Sequence, residues 1–251
     1  MAVIFCFSGT GNSLYAANKI AVSIGAEVRN MRECGGEVSD DVIGFVFPTY
    51  FWGLPKSARR FIGRLRITNK SAYIFAVTTY GGFSAGVCDA VNVLIKKNGV
   101  KLSYSAKVKM VENYLPGLEC NDSDELWEKS DKALDKIVSD ISARKKSYAA
   151  PYTVFNGIAQ MAYSSNKPGC AEKFTVSGCK SCGICEKICP TGNITLENGE
   201  PKFGGKCNLC LGCLNACPAD AIDYGNSTRG KKRYKNRRIS VEELTKFNSG
   251  K

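Results

Sequence analysis

Eight of the thirteen cysteines crowd into residues 179–217. They form two runs, Cys179-x2-Cys182-x2-Cys185-x3-Cys189-Pro190 and Cys207-x2-Cys210-x2-Cys213-x3-Cys217-Pro218, the second 28 residues after the first (179 to 207). Soft thiolates suit iron–sulfur clusters, and a cubane needs four of them converging on one small object. Two-residue gaps let one tight loop wrap a cluster with three sulfurs, while the Cys before Pro points away. Ligation in such duplicated runs is crossed. One [4Fe–4S] cluster would take Cys179, Cys182, Cys185 and Cys217, and the other Cys207, Cys210, Cys213 and Cys189. A zinc module needs only two CxxC pairs, so the third and fourth Cys of each run would be surplus. Cys170 completes neither set.

A second chemical signal lies near the start. Ser8-Gly9-Thr10-Gly11-Asn12-Ser13 separates an apolar strand-like run, Val3 to Phe7, from helical periodicity over Leu14 to Ile24. Such a turn offers several backbone N–H groups and the positive end of a helix dipole, enough to hold a phosphate without Lys. The Gly-Lys-Ser/Thr of a Walker A loop is absent, which disfavours ATP chemistry. Gly9 and Gly11 begin a dinucleotide fingerprint and Glu33 follows about 20 residues on, but Leu14 stands where its third Gly belongs.

The chain contains no His. That excludes Ser-His-Asp and Cys-His nucleophiles, His-ligated zinc, Rieske ligation and a His-bound haem. The carboxylates are scattered, and no residue stands out as a general acid or base. No stretch reaches the ~18 apolar residues of a membrane span, and the apolar start lacks the flanks of a signal peptide. A cytoplasmic location is expected, where thiols stay reduced and serve metals.

The elements that must position these groups alternate. Strand candidates are Val3 to Phe7, Val42 to Phe47, Ala72 to Val77 and a run ending at Val108 to Val111. Helical spacing follows Pro55 (Phe61, Ile62, Leu65), recurs at Val87, Val91, Leu94 and Ile95, and returns after Asp122/Ser123 with Leu126, Leu134, Ile137, Val138 and Ile141. Apolar strands alternating with helices predict an α/β doubly wound parallel sheet, with ligands outside the carboxyl ends of its strands. Between the cysteine runs, Ile194 to Leu196, Asn198-Gly199 and Lys202-Phe203 read as a hairpin.

Residues 176–225 resemble the two-cluster bacterial ferredoxins, with every ligand position filled. The first loop resembles that of flavodoxin, Ser/Thr-x-Thr-Gly-x-Ser/Thr, which binds the FMN phosphate; Ser8, Thr10, Gly11 and Ser13 match. Pro48-Thr49-Tyr50-Phe51-Trp52-Gly53 and Thr79-Tyr80-Gly81-Gly82-Phe83 resemble the two loops that flank the flavin ring, with Tyr50, Trp52 and Tyr80 as candidates to stack on it. Asn113-Tyr114 resembles a further recurring motif. The whole chain is thus similar to the flavodoxin–ferredoxin fusion proteins of anaerobes. This implies a flavodoxin-like FMN domain over 1–150, a linker over 151–172 with one short helix, a small α+β two-cluster ferredoxin-like domain over 173–225 and a basic C-terminal tail over 226–251.

The implied function is electron transfer between low-potential clusters and FMN, with redox proteins as donor and acceptor. The alternatives are an FMN-dependent reductase of a small substrate fed by its own clusters, and an iron–sulfur sensor whose basic tail binds nucleic acid. Residues 226–251 hold nine basic and two acidic residues, +7 of the formal +12. The simpler reading is a solvated or loosely docked extension, with nucleic acid not expected as a partner.

Overall fold

A computed structural model describes residues 1–32, 36–84, 86–148 and 170–250. Five parallel strands form the central sheet: β1 (Ala2–Cys6), β2 (Glu27–Asn30), β4 (Val42–Pro48), β6 (Tyr73–Tyr80) and β7 (Tyr104–Lys109), in the order β2-β1-β4-β6-β7. The two-residue strands β3 (Glu37–Val38) and β5 (Arg66–Ile67) pair beside it. Counting the five main strands alone, this is the 2-1-3-4-5 order of the flavodoxin-like doubly wound fold.

Helices cover both faces, and each face has its own core. Helices α1 (Asn12–Ile24) and α4 (Asp124–Ser142) bury Leu14, Ile20, Leu134 and Ile141 on one side. On the other, α2 (Lys56–Arg64) and α3 (Val87–Ile95) bury Phe61, Ile62 and Val91 against Phe45 and Phe47. Ser123 caps α4 by accepting from the Leu126 N–H, as its sequence position suggests. Of the five central strands, the one missing from the sequence reading is β2. It lies at the sheet edge, and Glu27, Val28, Arg29 and Asn30 alternate between exposed and half-buried positions instead of forming an apolar run.

The cysteine-rich part builds a third core around Phe174, Ile194, Leu209, Leu211, Leu214 and Ile222. Strands β8 (Phe174–Val176) and β11 (Ile222–Tyr224) pair antiparallel, and β9 (Ile194–Glu197) and β10 (Glu200–Phe203) form the expected hairpin. Positive φ at Asn198 and Gly199 is what its two-residue turn demands. Short helices α5 (Ile184–Lys187) and α6 (Gly212–Ala216) carry the third Cys of each run, Cys185 and Cys213. Most of the linker and its expected helix, Glu33 and Cys34 lie outside the described residues, as does the Cys170 side chain.

The C-terminal segment corrects an expectation. It is neither solvated nor loosely docked. Tyr234, Ile239 and Leu244 are buried in the same core as α1 and α4, and α7 (Val241–Ser249) ends against the start of the chain. Its basic residues are held by scattered acids: Arg233 by Asp223 (2.7 Å), Arg237 by Asp122 (2.8 Å) and Asp124, Arg238 by Asp131 (3.0 Å) and Lys231 by Glu119 (3.2 Å). All but Asp223 are distant in sequence, so a local charge count reads the segment as a solvated face.

Candidate functional site

The carboxyl ends of β1, β4 and β6 open into a cleft of about 400 Å³. Ser8, Thr10, Asn12, Ser13, Pro48, Thr49, Tyr50, Trp52, Thr79, Tyr80, Gly81, Gly82 and Phe83 all line it, bringing three separate sequence motifs together. Gly11 and Gly53 do not line it. Gly11 caps α1 with φ +100°, and Gly53 closes a turn with Tyr50 through two backbone hydrogen bonds, Tyr50 N–H to Gly53 O (3.0 Å) and Gly53 N–H to Tyr50 O (2.8 Å).

The first loop is preorganised. The Ser8 hydroxyl accepts from the Gly11 and Leu14 N–H groups, Ser13 and Thr79 share a hydroxyl–hydroxyl bond of 2.8 Å, and Asn113 Nδ2 donates to Thr10 Oγ1 (2.9 Å). Asn113, singled out by sequence without a role, therefore ties a fourth strand end to this loop. Tyr50 packs edge-on to Phe7, while Trp52 and Phe83 stand at the mouth, 52% and 61% exposed. Phe51 meets Tyr114 edge-on and packs on the cysteine-rich core.

Sequence reading missed Glu112. Its carboxylate accepts from the Gly82 N–H (3.1 Å) and from the Asn113 and Tyr114 N–H groups (3.0 Å each), holding two cleft loops together. A single carboxylate after a strand carries no periodic signal. Also missed were Leu209, Cys210 and Leu211, which close the cleft from the cysteine-rich side.

The thiols fall into two groups. Cys179, Cys182, Cys185 and Cys217 line one cavity, and Cys189, Cys207, Cys210 and Cys213 line another. Backbone N–H groups already point at sulfur in a matched pattern. Ser181 donates to Cys179 (3.4 Å) as Leu209 does to Cys207 (3.3 Å), and Asn193 to Cys189 as Ala221 to Cys217 (3.3 Å each). Among the described residues no such group converges tightly enough for a single metal ion. A cubane instead holds its thiolates apart, at the corners of a larger body. Burial pushes the Cys185 thiol up to about 11 and the Cys210 thiol up to about 12, the latter raised further by neighbouring Cys189. Such thiols ligate by losing their proton to solvent as the metal binds.

The two regions meet at glycine. A Cβ on Gly9 would stand 2.6 Å from the Cys210 Cβ, and one on Gly212 would run into the Gly9 carbonyl. Phosphate-type loop and cysteine loop are therefore in backbone contact.

A family model of the 4Fe-4S dicluster domain matches residues 178–222. A ferredoxin-like protein in the vnf region of Azotobacter chroococcum mcd 1 is 44% identical over 48 residues, 17% of this chain and 74% of that protein. The polyferredoxin protein MvhB of Methanothermus fervidus is 36% identical over 53 residues, 20% of this chain and 12% of its own length, so the chain spans only a small part of that relative. Among solved structures, a flavodoxin of Streptococcus pneumoniae TIGR4 aligns at TM-score 0.39 and 15% identity over 57% of this chain and 97% of its own. That of Megasphaera elsdenii aligns at 0.35 and 20% over 54% and 99%. Among the described residues no helix is long and apolar enough to cross a membrane. Matched cysteine runs place the chain in the 4Fe-4S dicluster ferredoxin family, joined here to a flavodoxin-type doubly wound domain.

Proposed function

We propose that the chain is an electron-transfer iron–sulfur flavoprotein that passes electrons between two [4Fe–4S] clusters and an FMN in the cleft. One observation carries this reading: Cys210, of the inner thiol group, lines the same cleft as the phosphate-type loop. FMN exchanges electrons singly or in pairs and each cluster carries one, so the chain's own task is placement.

Cys179, Cys182, Cys185 and Cys217 would hold the outer cluster, and Cys182 is exposed, which suits exchange with a partner protein. Cys189, Cys207, Cys210 and Cys213 would hold the inner one. The N–H groups at the start of α1, with Thr10 and Ser13, would take the phosphate. Thr49, Tyr50, Trp52, Thr79, Tyr80, Gly81, Gly82 and Phe83 would border the ring, and a side chain at Gly81 would collide with Glu112. The cleft volume falls within the range of small-ligand sites.

Anaerobic reconstitution followed by counting iron, sulfide and flavin tests the composition. Two clusters and one FMN per chain, all reduced by dithionite, is the expected result. Zinc, or a chain that takes up no flavin, would overturn it.

The open mouth at Trp52 and Phe83 supports a second reading, in which bound FMN hands electrons to a small acceptor. That reading predicts turnover that saturates in the acceptor. The sensor reading is weakened, because four of the basic residues that motivate it, Lys231, Arg233, Arg237 and Arg238, are engaged within the molecule.

A further inference from the structure

The geometry points to the C-terminal segment as a strap that sets the phosphate-type loop, with Tyr234, Asn236 and Asn248 as positioning residues for the flavin phosphate. The inference rests on the flavin reading of the cleft.

Asn12 sits on that loop at the start of α1, and its side chain is engaged at both its oxygen and its nitrogen. Its Oδ1 accepts from the Tyr234 hydroxyl (2.6 Å) and from Asn236 Nδ2 (2.8 Å), while its Nδ2 donates to the Val111 carbonyl (3.1 Å). Tyr234 is buried, and burial raises the phenol's pKa, so it stays protonated and donates. The strap is in turn fixed to the cysteine-rich side. The Tyr234 N–H donates to Asn215 Oδ1 (2.9 Å), and Arg233 is clamped to Asp223 and to the Ile222 carbonyl.

Asn248 makes a second tie and is 0% exposed. Its Nδ2 donates both to the Ser8 carbonyl (3.0 Å) and to the Ile188 carbonyl (2.9 Å), and its Oδ1 accepts from Asn30 Nδ2 (3.0 Å). Ser8 opens the phosphate-type loop, and Ile188 directly precedes Cys189 of the inner thiol group. One buried amide thus bridges the two proposed cofactor sites. None of the three residues lines the cleft, so they act through the loop rather than on the ligand.

Only the phosphate separates FMN from riboflavin at this loop, and this gives the test. Affinities for both flavins are measured on the full chain, reconstituted without air, for the natural sequence and for Tyr234→Phe, Asn236→Asp and Asn248→Ala. Asn236→Asp keeps the oxygen that accepts from the Arg238 and Ile239 N–H groups but loses the donor to Asn12. Tyr234→Phe is expected to weaken FMN by about tenfold, one hydrogen bond's worth, and Asn236→Asp, which also loses its donor to the Tyr234 hydroxyl and sets a negative charge beside Asn12, by at least as much, with riboflavin affinity and iron content unchanged. Equal weakening of both flavins would reduce the strap to general support and overturn the inference. Unchanged FMN affinity in both variants would overturn it too, whatever happens to Asn248→Ala. A natural chain that binds neither flavin would bring down the cleft reading itself and this inference with it.

Discussion

The two cysteine runs share a backbone and differ in almost everything around it. Ser181 and Leu209, at matching positions, have the same φ of 54°, and Gly183 and Leu211 are both left-handed. Where the first run carries Lys180, Ser181, Ile184, Glu186 and Lys187, the second carries Asn208, Leu209, Gly212, Leu214 and Asn215. The first faces solvent at Cys182, while the second is buried through Leu209, Leu211, Leu214 and Asn215 against the doubly wound domain. Ligand spacing fixes what can be bound. The residues between the ligands fix which site faces a partner and which faces the cleft.

The sharpest way to break this asymmetry is to remove one ligand from each side. Cys182→Ser and Cys213→Ser should each lose about half of the iron and sulfide, as one of two sites is disabled. Only the inner variant should also perturb the absorption of the bound flavin, because Cys210 of that site lines the cleft. Equal flavin spectra in the two variants would contradict the assignment of inner and outer sites.

Next in size is the clamp behind the inner run. Asp223→Ala leaves the Arg233 side chain, 4% exposed, without its nearest carboxylate. It should cost about 3 kcal/mol, the lower end for breaking a buried pair, because Asp220 and two carbonyls still face Arg233. Desolvation alone would raise the Asp223 pKa, but hydrogen bonds from Arg233 and Thr228 outweigh it and bring it below the usual Asp value. The pair's stabilisation is therefore complete above about pH 4 and is lost as pH falls through the lowered value. Asp223→Asn should flatten that acid slope in urea midpoints, and an unchanged slope would place the coupling elsewhere.

Gly212→Ala should cost about 1–3 kcal/mol, as overpacking does, because its Cβ has nowhere to go but the Gly9 carbonyl. The matching position in the outer run already holds Ile184. A thermal midpoint that does not move would show that the two loops can part freely. The smallest effect belongs to Arg237→Gln. Its pairs are partly exposed, so the urea midpoint should move least of all these variants, and salt-dependent RNA binding should be absent before and after.

How much was legible follows from range. Cysteine spacing is a local demand of the metal, and apolar strands followed by Gly- or Pro-marked loops are a local demand of a covered sheet. Both could be read directly. Strand β2 could not, because its half-exposed edge position needs no apolar run. Neither could the inner wall of the cleft. Leu209 and Leu211 look like ordinary core residues until the domain that covers them is in place. The basic segment misled for the same reason, since Tyr234 is buried against Asn12 and Arg237 and Arg238 pair with Asp122 and Asp131, far back along the chain.

The amide bridge at Asn248 has a consequence for the order in which the molecule assembles. It joins residues 240 positions apart, so its formation closes nearly the whole chain into one loop. Contacts of that span carry a high closure entropy and form late. A nascent chain will therefore display its sheet and its thiol loops before the loop at Ser8 acquires its final shape. Protease clipping ahead of residue 231 would freeze it in that unfinished form.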